Sequence, residues 1–316
     1  MSERAKENLA KPFLKWAGGK SQLLYEIRKY YPFNDTINKY CEPFVGAGAV
    51  LFDVINNFGL KEVYISDINK EAMNLYKVIR DDVDILIEIL DGFQKEYQGL
   101  NHEQRKIIYY RNREEFNLLK LSKNSNSLRK AALFIFLNKT GFNGLYRENM
   151  SGEFNVPIGS YKNPKILDKE NLINVNKKLQ NVQIVHGDYK ESKSFIDANT
   201  FVYFDPPYRP IKPTSNFTAY TKGSFNDDNQ RELADFFKEM DQKSAHLLLS
   251  NSEPKNYDPD DSFFDDLYDG FNINRVVAKR FINSDKNNRG FVYELLINNF
   301  KEDEGERFQQ MAFNIH

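Results

Sequence analysis

The chain has 316 residues, 41% hydrophobic and 14% aromatic, enough to bury a core and too many for a disordered or fibrous protein. Mean hydropathy is −0.64, no apolar run approaches the roughly 20 residues of a membrane span, and MSERAKENLAKPFLKW contains no apolar stretch resembling a secretory signal, so none is expected. The single cysteine, Cys41, excludes an intramolecular disulfide and a cysteine-built zinc site; the expected location is cytoplasmic.

The net charge of −1 conceals a separation. Between Arg105 and Lys178, fifteen Lys/Arg oppose six acids, whereas Glu253 to Asp269 holds seven acids and one lysine. A basic segment of this kind either steers a polyanion to one face or is a solvated helical surface.

In chain order, Phe13-Leu14-Lys15-Trp16-Ala17-Gly18-Gly19-Lys20 reads as a loop, then an amphipathic helix runs to about Tyr30. A short strand at 39–44 meets the glycine turn 45–48, and a helix follows to about Asn57. The alternating, β-rich EVYISD (62–67) is a strand, with a helix over NKEAMNLYKVIR. This is the opening of a doubly wound α/β sheet. Residues 81–139 read as helices, and 140–165 as an irregular loop or hairpin. The α/β rhythm resumes with strands at 182–188, 200–205 and 246–251 and a helix near 227–241. Two late strands fall in FNINRVVAK and FVYELLINNF. The expected organisation is a catalytic α/β domain over 1–80 and 181–300, a helical and hairpin insertion over 81–180, and a polar tail over 301–316.

Three motifs carry chemistry. In Glu42-Pro43-Phe44-Val45-Gly46-Ala47-Gly48, two glycines let the backbone turn sharply and approach a ligand. Asp67, ending the next strand, can accept both hydroxyls of a ribose. Such turns are common in α/β proteins, and Leu51 breaks the six-residue dinucleotide pattern. Asp205-Pro206-Pro207-Tyr208 is more specific. Asp205 ends a β run, where α/β sheets place ligands. The prolines stiffen the turn. Asp205 and the Pro206 carbonyl can hold an NH₂ group between two acceptors, and Tyr208 offers a face for a flat base. Around Trp16, the only tryptophan, the lysines can meet carboxylate or phosphate; burial of the indole is the plainer use of that residue.

FLKWAGGK, EPFVGAGAV, the strand-ending Asp67 and DPPY, in this order, resemble the Dam-type DNA adenine-N6 methyltransferases. The likeness continues through Phe142-Asn143-Gly144-Leu145-Tyr146-Arg147 and Gly152–Pro157, similar to that group's target-recognition hairpin. Thr214-Ser215, Phe217-Thr218, Tyr220, Phe225 and Gln230 resemble its loop after DPPY. Leu249–Ser252 and Glu294–Ile297 resemble later strands. Together these span roughly 11–300.

The resemblance implies a Rossmann-like methyltransferase fold that uses S-adenosylmethionine and duplex DNA, with no metal. It implies that Trp16, Lys20, Phe44, Gly46, Gly48, Asp67 and Asp205 line the cofactor pocket, with Asp188 and Tyr189 at the cofactor adenine. It implies an adenine flipped from the duplex, stacked on Tyr208 and held by Asp205 and Pro206, with Pro207 stiffening the motif. It further implies the subgroup that reads GATC: Arg147 to guanine, Leu145 and Pro157 to a thymine methyl, Asn143 to a base edge or orphaned partner, Phe142 as a wedge, and Lys15 to a second guanine. Methylation of RNA or another amine, and a DNA-binding module with a dead cofactor site, are the competing readings. A companion restriction endonuclease and an orphan role fit equally, and a monomer suffices for a palindrome.

Overall fold

The computed structural model describes residues 9–16, 18, 20–122, 126–209, 225–279 and 291–300. The expectations placed on Ala17, Gly19, Thr214, Ser215, Phe217, Thr218, Tyr220 and the tail 301–316 lie outside those residues. The chain divides into two compact units. One comprises Met1–Gly19, Val45–Asn57 and Asp67–Gly187; the other comprises Lys20–Phe44, Phe58–Ser66 and Asp188–His316.

The second unit is built on strands. β1 (Lys39–Glu42) pairs in parallel with β2 (Glu62–Asp67) and β4 (Thr200–Phe204), and β4 pairs in parallel with β5 (His246–Ser252). β7 (Phe291–Asn298) runs antiparallel to both β5 and β6 (Asn272–Lys279), so the order here is β2-β1-β4-β5-β7-β6. Every residue of β4 is buried, which is why TFVYF does not alternate apolar and polar residues. Tyr31, Phe33 and Phe58 pack, mostly edge to face, with Tyr40 of β1 and Phe201 of β4. Cys41 lies in β1, paired on both sides and fully buried, and burial pushes its thiol pKa up. Helix α8 (Asp227–Gln242) begins with a capping box of Asn226 and Asn229.

The expected helix to Tyr30 is not continuous. It is a 3-10 turn at Lys20–Gln22, one α turn, α1 (Leu24–Ile27), and a second 3-10 turn at Arg28–Tyr30. Leu23 offers no capping side chain, and the buried Lys20 is pulled into an ion pair with Asp205 at 2.8 Å. At the other end, Pro32 disfavours helical backbone at Tyr31, which is extended at φ −73° and ψ 113°.

The first unit is mostly helical. It holds α2 (Ala49–Asn57), α3 (Lys70–Asp81), α4 (Val83–Tyr97), α5 (His102–Leu121), α6 (Ser127–Thr140) and α7 (Lys169–Leu179), with β3 (Val182–His186). Asn69, Asn101 and Asn126 cap α3, α5 and α6 through their side chains. Helix α6 is buried on nearly every side and takes α3, α4 and α5 against it, so it is the axis of this unit. Lys130 on α6 and Glu71 on α3 form a buried ion pair at 2.9 Å; removing either partner would strand the other charge at a cost of about 3–5 kcal/mol. After α6, bridges Gly141↔Ile158 and Glu148↔Phe154 close a hairpin. Among the described residues no helix is long and apolar enough to cross a membrane.

Candidate active site and candidate nucleic-acid interface

In the second unit, β4 delivers Asp205 at its carboxyl end. Asp205 Oδ1 accepts from Lys20 Nζ at 2.8 Å and from Ser250 Oγ at 2.9 Å. A hydroxyl has one proton. Ser250 gives it to Asp205, so the Tyr203 hydroxyl, 2.9 Å away, donates to Ser250. The chain Tyr203–Ser250–Asp205 fixes the carboxylate. Burial raises the Asp205 pKa, while Lys20 and the Ser250 hydrogen bond pull it down. Both named donors sit on Oδ1; among the described residues none is placed on Oδ2.

The rest of the motif is held from two sides. Gln230 Nε2 donates to the Pro207 carbonyl at 3.1 Å and Gln230 Oε1 accepts from Asn251. No described residue donates to the Pro206 carbonyl. The Tyr208 hydroxyl donates to Glu294 Oε2, and the Lys20 ammonium lies 4.3 Å from the Tyr208 ring centroid. Arg209, next in sequence, donates through Nε and Nη2 to Asp227 and through Nη1 to Asp261. Its guanidinium lies over the Phe263 ring at 4.3 Å.

Phe44 stacks on Tyr189 at 5.4 Å, with Phe225 edge-on. Asp188 is exposed and caps the 3-10 turn Tyr189–Ser194, accepting from the Lys190 N–H. The buried Tyr189 hydroxyl has no hydrogen-bond partner among the described residues, and burial pushes its pKa to about 12. A flat apolar pair beside an exposed carboxylate and an orphaned phenol fits an adenosine.

In the first unit, Gly46 and Gly48 have φ of 49° and 74°. The Gly46 N–H donates to Asp67 Oδ2 at 3.0 Å, and the Asn69 N–H donates to Oδ1 at 2.8 Å. Trp16 lies so close that a Cβ on Gly46 would stand 2.8 Å from its Nε1; one on Gly48 would meet the Tyr76 hydroxyl at 2.5 Å. These positions require glycine for space as well as for φ. The Asp67 carboxylate is only partly buried, which suits a ribose diol.

The same unit carries the hairpin. Tyr146 points inward, stacked with Trp16 at 6.4 Å and edge-on to Phe134, and its hydroxyl donates to Glu148. Phe154 and Val156 are also buried. The alternation puts Arg147 and Pro157 outside, with Leu145 half-buried. Phe142 is exposed and donates its N–H to the Pro157 carbonyl; Asn143 follows at φ 53°. Arg147 Nε donates to Asn155 Oδ1 at 2.7 Å. Lys15 has its ammonium 3.6 Å from the Tyr161 ring centroid. Part of the basic segment is neutralised locally, by Arg111–Glu96, Arg129–Glu115 and Lys130–Glu71.

Sequence reasoning missed Ser250, Glu294 and Arg209 as partners of the motif. One signal was present: Ser250-Asn251-Ser252 are consecutive polar residues ending an apolar strand, and all three are buried.

The model of the D12 class N6 adenine-specific DNA methyltransferases matches residues 16–282. The Type II methyltransferase M.MjaIII of Methanocaldococcus jannaschii is 52% identical over 295 residues, covering 92% of this chain and 99% of that one. The Type II methyltransferase M1.LlaDCHI of Lactococcus lactis subsp. cremoris is 35% identical, covering 94% and 98%. The DNA adenine methylase of Escherichia coli K12 is 35% identical, covering 90% and 93%. The α/β fold and the strand-end Asp-Pro-Pro-Tyr are those of a methyltransferase. The chain belongs to the D12 class of N6 adenine-specific DNA methyltransferases.

Proposed function

We propose that the chain methylates N6 of an adenine flipped out of duplex DNA within GATC, with S-adenosylmethionine as donor. The observation that carries this reading is the pair of acceptors at the end of β4: Asp205 Oδ2 and the Pro206 carbonyl, beside the Tyr208 ring. Two acceptors match the two hydrogens of an exocyclic amine and hold N6 in place, while Tyr208 stacks on the base. When bound, S-adenosylmethionine supplies an electrophilic methyl on its sulfonium. Asp67 takes the ribose hydroxyls beside the Gly46–Gly48 turn, and Phe44, Asp188 and Tyr189 serve the cofactor adenine, with Trp16 and Lys20 completing the set. Positioning provides most of the acceleration.

Segment 81–180 is the target-recognition insertion in this reading. Arg147 reads guanine, Leu145 and Pro157 meet a thymine methyl, Phe142 wedges into the stack, Asn143 meets a base edge or the orphaned partner, and Lys15 reads the other guanine. The outward placement of Arg147 and Pro157 and the exposure of Phe142 support it. In this reading the protein acts as a monomer on one strand at a time, either as an orphan enzyme or with a restriction endonuclease as a functional companion.

The test is to incubate the protein with S-adenosylmethionine and unmethylated duplex DNA and to map N6-methyladenine. Methyl groups confined to GATC are expected. Methylation at another motif would overturn the hairpin assignments and keep Asp205 and Tyr208.

A further inference from the structure

Asn138 stands in the last turn of α6, 1% exposed, and takes no part in the roles assigned above. Its side chain is a three-way joint. Oδ1 accepts from the Lys15 N–H at 2.8 Å, and Nδ2 donates to the Lys15 carbonyl at 2.7 Å and the Gly144 carbonyl at 2.8 Å. One amide thus grips both backbone groups of Lys15 and one of the hairpin. The two segments also touch directly: a Cβ on Gly144, at φ 63°, would lie 2.4 Å from the Lys15 Cβ. Gly144 sits between Asn143 and Leu145, three residues before Arg147. The backbone of Lys15 and that of the hairpin therefore form one rigid piece.

We propose that Asn138 is a positioning residue for sequence discrimination, holding Lys15 and the hairpin in one register so that both ends of the target are read together. This rests on the base-reading roles given to Lys15 and Arg147. The joint is hard to replace. Aspartate would keep the acceptor but set a carboxylate against two carbonyl oxygens, and alanine would leave buried backbone groups unpaired.

The experiment compares kcat/KM on the duplex carrying the mapped site with kcat/KM on duplexes changed at the first or the last base pair. It uses wild type, Asn138→Ala, Gly144→Ala, Lys15→Ala and Arg147→Ala. Tm and S-adenosylmethionine affinity are measured alongside. Lys15→Ala is expected to lose discrimination at one end and Arg147→Ala at the other. Asn138→Ala and Gly144→Ala are expected to lose it at both, by about tenfold, the scale of one base contact, with cofactor affinity retained. A uniform loss on all duplexes would make Asn138 merely structural and overturn the proposal. If Lys15→Ala and Arg147→Ala discriminate as wild type does, the base-reading assignment fails instead. Should Asn138→Ala not fold, Asn138→Ser, which keeps one donor and one acceptor, takes its place under the same criteria.

Discussion

The Tyr208 hydroxyl donates to Glu294 Oε2 at 2.7 Å, tying the end of the Asp-Pro-Pro-Tyr turn to a strand 86 residues further along the chain. The register of β7 on β5, with Ser252 opposite Glu294, puts that carboxylate in place. A hydrogen bond to a charged acceptor is worth about 1.5–3 kcal/mol. Tyr208→Phe keeps the ring and loses the tie, so single-turnover methylation should slow by about tenfold or more. Glu294→Gln keeps an acceptor oxygen and should slow less; Tyr208→Ala should slow most. A Tyr208→Phe rate equal to wild type would remove the tie from the mechanism.

Asp205 gives a pH signature. Burial raises its pKa, so it protonates at a higher pH than an ordinary aspartate as the solution is acidified. Protonation turns part of the acceptor into a donor, and kcat falls. Ser250 stabilises the charged form, so Ser250→Ala raises the pKa further. The acid limb of the kcat profile should move to higher pH in Ser250→Ala, and an unmoved limb would separate Ser250 from the carboxylate.

The acidic stretch 253–269 anchors basic side chains within its own unit. Asp261 holds Arg209, while Glu253 and Asp265 hold Arg275, and Asp265 also holds Lys255. Arg209→Met should lower Tm by several degrees and kcat by about tenfold, and Arg209→Lys should rescue little, because an ammonium cannot span two carboxylates as the guanidinium does. Combining Arg209→Met with Asp261→Asn should cost less than the two single losses together. Additive losses would show that the pair does not act as a unit.

Lys139 carries a half-buried ammonium. Burial, and Lys15 beside it, lower its pKa from 10.5 to about 8. Folding therefore penalises the charged form. Its penalty is absent above the unfolded value, grows as pH falls from 10.5 toward 8, and is complete below 8. Lys139→Met should raise Tm relative to wild type at pH 7, and the gain should shrink by pH 10. A gain independent of pH would assign it to packing alone.

The strands and the ligand-bearing turns were legible because their signals are local: alternation in EVYISD, glycines at 46 and 48, prolines after Asp205. Partners from distant strands were not. Nothing near Asp205 announces Ser250, and nothing near Tyr208 announces Glu294, because sheet order and register join them. The segment 20–30 misled for the same reason. Its helical spacing is real, but the segment runs from Lys20, tied to the distant Asp205, to Tyr31, held extended before Pro32, and its turns are mixed 3-10 and α.

Cys41 offers a clock for strand separation. It lies between two paired strands with no exposed surface, so a thiol reagent reaches it only after β1 parts from its neighbours. Its labelling rate therefore reports the free energy of that opening, as amide hydrogen exchange does elsewhere. Because it is the chain's only thiol, the signal comes from a single place in the sheet, without any engineered residue.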